Sequence, residues 1–146
     1  MGVSMTDHPT LSTPGQLLEA NRAVEQFVAE IQRGLDEGDA DIYNHSFAGD
    51  VIWGGPYGAT VSGYDDLHGI HQRLHAQRVA GPSRYEIVHV SAPQPGVAVA
   101  HVRRQPVGDD DGFAEMAMYV LVQAIGRWWL VAGQNTVIQP GRSATD

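Results

Sequence analysis

Apolar residues recur at Leu17, Ala20, Val24, Phe27, Ile31 and Leu35, the spacing of one face of a helix. Thr13-Pro14-Gly15-Gln16 supplies its start: Thr caps, Pro takes the first helical position and Gln16 completes a capping box. Gly34 weakens the last turns, and Gly38 ends the helix as a left-handed cap allows. Asp39-Ala40-Asp41 restarts a short helix through about His45, with Tyr43 and Phe47 turned inward. Asp50 to Trp53 reads as a short strand. Gly54-Gly55-Pro56-Tyr57-Gly58 breaks it, and Ala59 to Val61 resumes. Ser62-Gly63-Tyr64-Asp65 opens a helix of about 15 residues with an apolar stripe of Leu67, Ile70 and Leu74, stopped by Gly81-Pro82. Three strands follow, Arg84 to Val90, Val97 to Gln105 and Ala114 to Gln123, joined by Pro93-Gln94-Pro95-Gly96 and by the acidic, solvated loop 108–112. A last strand runs from Arg127 to about Ile138.

The final two strands form a hairpin about Ile125-Gly126. That turn predicts Tyr119 opposite Ala132, Ala117 opposite Gln134 and Glu115 opposite Thr136 on one face. Val120 then meets Val131, Met118 meets Gly133, and Met116 meets Asn135 on the other. The loop before it places Arg104 against Glu115, Ala100 near Tyr119 and Val102 near Ala117. Both faces are apolar, so both need cover. One face packs on the chain's own helices; the other predicts a homodimer through the convex sheet face. Helices first and a strand meander last give the α+β class, with helices on the concave face of a curved, mainly antiparallel sheet. Residues 14–140 form a single domain between tails at 1–13 and 141–146.

Composition narrows the chemistry. The 146 residues carry a formal net charge of −8, which predicts no nucleic-acid and no anionic-membrane partner. All nine basic residues are Arg, so lysine Schiff-base chemistry is excluded. Cysteine is absent, which excludes thiol nucleophiles and disulfides. No apolar stretch approaches the roughly 20 residues of a membrane span, and the polar start has no signal-peptide apolar core; a cytoplasmic location is expected. Neither a phosphate-binding Gly loop, a dinucleotide fingerprint nor a Gly-x-Ser-x-Gly elbow is present, and no cofactor is expected.

Three pieces of the chain carry a family resemblance. They are the helical lead into Gly38-Asp39 and on to Phe47-Ala48-Gly49-Asp50; Pro56-Tyr57-Gly58, Ser62-Gly63 and Ile70-His71; and Gly126-Arg127-Trp128 with Gln134-Asn135-Thr136. In order and spacing they resemble the NTF2-like superfamily, and more closely its SnoaL-like members of the SgcJ/EcaC type from actinobacterial natural-product (polyketide and enediyne) pathways. The resemblance implies a cone of helices and bent sheet with a pocket in its mouth, and a dimer through the sheet's outer face. Activities in the superfamily run from isomerisation and cyclisation to plain binding, so the fold alone does not choose among them.

Strand parity sorts the candidates. Arg104, Glu115, Tyr119, Trp128, Leu130, Ala132 and Gln134 are assigned to the cavity side; His101, Arg103, Met116, Met118, Trp129 and Asn135 to the dimer side. Glu115 is a candidate acid or base, with a structural ion pair to Arg104 as the alternative. Tyr119 is a candidate oxyanion donor, with a satisfied core hydroxyl as the alternative. His68, His71 and His75 share one side of a helix, but they splay too far for a metal site, and none is expected. His71 is the one directed to the pocket, as proton shuttle or hydrogen-bond donor. Trp53 and Tyr57 wall or lid the cavity, and Arg104, Trp128 and Gln134 contact substrate. The expected function is binding of a hydrophobic, oxygenated, polyketide-like intermediate with cofactor-independent acid–base chemistry. The alternative is a non-catalytic ligand-binding or accessory protein.

Overall fold

The computed structural model describes residues 7–77, 81–108 and 112–139. Among these residues three helices and six strands follow one another: α1 Pro14–Glu37, α2 Ala40–Tyr43, β1 Phe47–Gly54, β2 Thr60–Ser62, α3 Tyr64–Gln77, β3 Ser83–Gln94, β4 Val97–Pro106, β5 Ala114–Ala124 and β6 Arg127–Ile138. The strands form one sheet in the order β2-β1-β6-β5-β4-β3. Every pairing is antiparallel except β1 with β6, which is parallel. The fold is thus the α+β arrangement of helices on a curved, mainly antiparallel sheet that the pattern predicts.

Local chemistry sets the helix bounds. Thr13 caps α1 through a reciprocal capping box with Gln16, Pro14 stands at its first position, and Gly38 closes it at φ 63°. Asp39 caps α2 by accepting from the N–H groups of Asp41 and Ile42. Ala20, Val24, Phe27 and Ile31 bury the expected stripe of α1, widened by Ala23 and Val28. Gly34, which costs helix propensity, has a packing reason: a Cβ there would lie 2.5 Å from the backbone nitrogen of Tyr43, so α2 rides directly on the α1 backbone. Ser12, in the stretch expected to be a loose tail, accepts from the N–H of Ala92. Residues 1–6 of that tail, residues 109–111 of the acidic loop, the segment 78–80 and the C-terminal stretch 140–146 lie outside the described residues.

The β4–β5 register is the predicted one: Arg104 pairs Glu115, Val102 pairs Ala117 and Ala100 pairs Tyr119. The β5–β6 register corrects the expectation. It holds next to the turn, where Leu121 pairs Leu130 and Val122 pairs Trp129. An irregularity between Val120 and Leu121 then leaves Val131 as an extra residue. Beyond it Tyr119 pairs Gly133, Ala117 pairs Asn135 and Glu115 pairs Val137. One added residue in a strand of period two exchanges the faces of everything that follows. Gln134 therefore pairs Met118 rather than Ala117, and it is Asn135 that stands across from Ala117.

Three rows of paired residues cross the concave face. One is Trp53–Gly133–Tyr119–Ala100, the next Asn135–Ala117–Val102, the third Val137–Glu115–Arg104–Tyr85. Ala117 puts a small side chain in the middle of the second row, while in the first the rings of Trp53 and Tyr119 close over Gly133. The core lies where α1 covers this face, around Phe27, Ile31, Leu121 and Leu130. Towards the end of the sheet where β1 and β6 finish, the concave face around Ala117 leaves space.

Candidate active site

That space is a cavity of about 750 Å³, walled by Trp53, Val61, Leu67 and Ile70 and floored by Ala117, Val102 and Tyr119. Gly55, Pro56, Tyr57, Phe113 and Pro82 rim it. A chamber of this size suits a drug-sized molecule, and its walls are mainly apolar.

Three tyrosine hydroxyls meet at its inner end. The Tyr43 and Tyr85 oxygens are 3.3 Å apart, and the Tyr119 hydroxyl interacts with that of Tyr43. Burial raises the pKa of all three. They stay protonated and act as donors. With Tyr43 bonded to Tyr85 and Tyr119 close to Tyr43, at most two of the three phenol protons are used within the trio, which leaves at least one without an acceptor there.

His71 borders this cluster. Its ring centroid lies 4.9 Å from that of Tyr43 and 5.3 Å from that of Trp53, both edge-on. Asn44, wholly buried at the C-terminal end of α2, places its Oδ1 2.7 Å from His71 Nδ1. Since an amide oxygen only accepts, Nδ1 carries the hydrogen, and Nε2 is the bare acceptor of a neutral ring. Burial, reinforced by His75 and His68 nearby, lowers the His71 pKa to about 3. The ring is therefore uncharged at neutral pH. His75 also lines the cavity and is shifted down by burial, partly opposed by the Asp39 carboxylate. His68 turns away to Asp41, at 2.6 Å.

Arg104 and Glu115 form the cavity's ion pair. Nε and Nη2 of Arg104 donate to Glu115 Oε1 at 2.9 and 2.6 Å, Nη1 donates to Ser83 Oγ at 2.7 Å, and Nη2 also donates to the Phe113 carbonyl at 3.0 Å. Both side chains are largely buried. Glu115, expected as an acid or base, is thus tied through Oε1 into the alternative that the sequence left open; His71 Nε2 makes no hydrogen bond, and His75 Nδ1, also in the wall, is buried without one.

Trp53, His71, Tyr119, Arg104 and Glu115 come together around one space, and Tyr57 stands at its rim, 80% exposed, with its ring 6.1 Å from that of Phe113. Four expectations are corrected, the first being Ala132, which was assigned to the cavity side and instead pairs Val120 and Ile52 on the outer face. Gln134 lies on the outer face, where its amide Nε2 donates to the carbonyls of Gly55 and Asn135; the extra residue at Val131 put it there. Asn135, assigned to the dimer side, takes its place in the cavity wall for the same reason. Trp128 is on the helix-covered side, but near the hairpin turn at the far end of the strand. It lines a small hollow with Glu19, Arg22 and Gln123 instead. Sequence reasoning missed Tyr85 and Asn44. The first was legible from register, being opposite Arg104. The second had no signal beyond an Asn at a helix end. No group of three or more His, Asp or Glu fit for a metal ion occurs among the described residues.

No protein-family model matches the chain, and no curated protein does. Solved structures do. A protein of unknown function with a cystatin-like fold from Nostoc punctiforme aligns with TM-score 0.72 at 15% identity, over 84% of this chain and 80% of its own. A ketosteroid isomerase-like protein from Erwinia carotovora atroseptica gives 0.71 at 15% identity, over 88% and 100%. An NTF2-like protein of unknown function from Shewanella oneidensis gives 0.70 at 13% identity, over 80% and 98%. The chain has the NTF2-like, or cystatin-like, fold.

Proposed function

We propose that the cavity binds a hydrophobic molecule bearing carbonyl or hydroxyl oxygens and promotes proton transfer within it without a cofactor. The observation that carries this reading is the surplus phenol proton of Tyr43, Tyr85 and Tyr119 beside the unengaged Nε2 of His71, in an apolar chamber. A ligand carbonyl accepting the phenol proton is polarised, and charge developing on its oxygen as an enolate is stabilised where water is largely excluded. His71 Nε2 takes the α-proton and returns it at another atom, which is isomerisation, or to a leaving hydroxyl, which is dehydration. Asn44 holds the ring in the tautomer this needs.

An imidazole whose conjugate acid lies near pH 3 is a weak base. The C–H it removes must be acidic, as between two carbonyl groups, and the returning proton is delivered readily. That requirement and the chamber's size favour a polyketide-like intermediate, the ligand class implied by the SnoaL-like resemblance. The chain would act as a homodimer in the cytoplasm. The same weak basicity, with Glu115 bound by Arg104, supports a second reading in which the ligand is held but not turned over.

Deuterium exchange separates the two. Ethyl 2-naphthoylacetate, which has a doubly activated methylene, is followed by proton NMR in deuterated buffer near pD 6. Exchange above the buffer rate that falls to background in His71→Gln and drops in Tyr119→Phe supports catalysis. Binding without faster exchange supports the second reading and overturns the first.

A further inference from the structure

The polar groups that line the cavity are not balanced in charge, and this bears on the class of ligand it takes. Among the described residues the wall carries two carboxylates, Asp36 and Glu115, against one cation, Arg104. That cation is already committed. Its three nitrogens make four hydrogen bonds, two of them to Glu115, and its side chain is 7% exposed. A guanidinium so engaged cannot turn to a ligand anion without stripping Glu115 of its partner in a largely buried place. The two histidines in the wall offer no positive charge at neutral pH, since burial disfavours their charged forms. Asp36 stands at the rim on the last turn of α1, where the helix presents the negative end of its dipole and no basic residue offsets it.

We infer that the cavity selects by charge, taking apolar molecules that are uncharged or carry an ammonium group and rejecting carboxylates and other anions of the same shape. This rests on the binding function proposed above and narrows its substrate class. The inward donors remain available to a neutral carbonyl; what is missing among the described residues is a free cation to compensate a full negative charge brought out of water. It follows that an acidic intermediate reaches this site only after its carboxylate is esterified or otherwise masked, or once it is lost by decarboxylation.

Three naphthalenes differing only in the group at carbon 2 test this: acetyl, carboxylate and aminomethyl, which are neutral, anionic and cationic at pH 7. Each is titrated as a displacer of the neutral fluorescent probe N-phenyl-1-naphthylamine. The ketone and the amine are expected to displace the probe, and the carboxylate to require at least about tenfold more. Glu115→Gln keeps the shape but leaves the Arg104 charge uncompensated. It should narrow the gap between carboxylate and ketone by about tenfold. Reading the ratio of the two ligands in one protein removes effects on folding. Equal displacement by carboxylate and ketone in the wild type, or a ratio untouched by Glu115→Gln, overturns the charge selection. Failure of the probe to bind at all overturns the binding function itself, and this inference with it.

Discussion

Burial keeps His71 uncharged at neutral pH, and such a residue has a thermodynamic signature. An unfolded histidine takes up its proton near pH 6.5, whereas His71 in the folded chain does so only near pH 3. Between those values the unfolded state holds one more proton, so stability falls as pH falls. The slope is about 1.4 kcal/mol per pH unit, which amounts to about 2 kcal/mol between roughly pH 7.5 and pH 5. His75, shifted in the same direction, adds to it. Urea unfolding across this range should show that loss, and His71→Gln should flatten the slope whatever its effect on stability at pH 7.5. A slope unchanged by the substitution would mean that the ring is not buried neutral. At this scale the sequence was partly legible. His71 stood on the border of an apolar stripe, and Tyr43 and Tyr119 were readable as inward-facing. Asn44, which decides which His71 nitrogen is free, carries no mark in the sequence that separates it from any other Asn at a helix end.

Elements were more legible than their faces. Capping chemistry fixed both ends of α1 at Thr13 and Gly38, and the β4–β5 pairing of Arg104 with Glu115 followed from the length of the loop between them. The β5–β6 hairpin began in its predicted register and left it at Val131. Nothing about that residue announces an irregularity: it is β-branched and apolar and stands between the apolar Leu130 and Ala132, where Gly or Pro would have given warning. The consequence is local and testable. Gln134→Ala should leave binding of N-phenyl-1-naphthylamine unchanged, because the side chain lies on the outer face. Asn135→Asp, which puts a carboxylate into the wall, should weaken displacement of the probe by 2-naphthoate further. The reverse pattern, with Gln134 sensitive and Asn135 silent, would restore the uninterrupted register.

In the whole molecule the sheet has two apolar faces and its own helices cover one. On the other, Ile52, Ala132, Val120 and Val99 form a row of direct partners across four strands, with Met118 beside them. Ile52 is 58% and Met118 42% exposed in the single chain. A contiguous patch of this kind supports the proposed homodimer. Light scattering should give twice the chain mass of 15.8 kDa, and Met118→Glu should lower it towards one copy. A wild-type monomer would remove the dimer from the account. The fold class and the need to cover both faces were readable from pattern alone; the cavity was not. It arises beside Ala117, whose small side chain stands between Asn135 and Val102 on the concave face under α3, a matter of register rather than of neighbours in sequence.

Proton transfer and charge selection both require that cavity to be open and a hydrophobic ligand to enter it. Ala117 is in the floor, 4% exposed, at the centre of the concave face. Ala117→Phe would place a ring in the chamber without disturbing a hydrogen bond. The most direct measurement is a fluorescence titration with N-phenyl-1-naphthylamine, wild type against Ala117→Phe, with circular dichroism to confirm that the variant is folded. Saturable binding of one probe per chain in the wild type, lost in the folded variant, is the predicted result. No binding in the wild type, or equal binding in both, would contradict it.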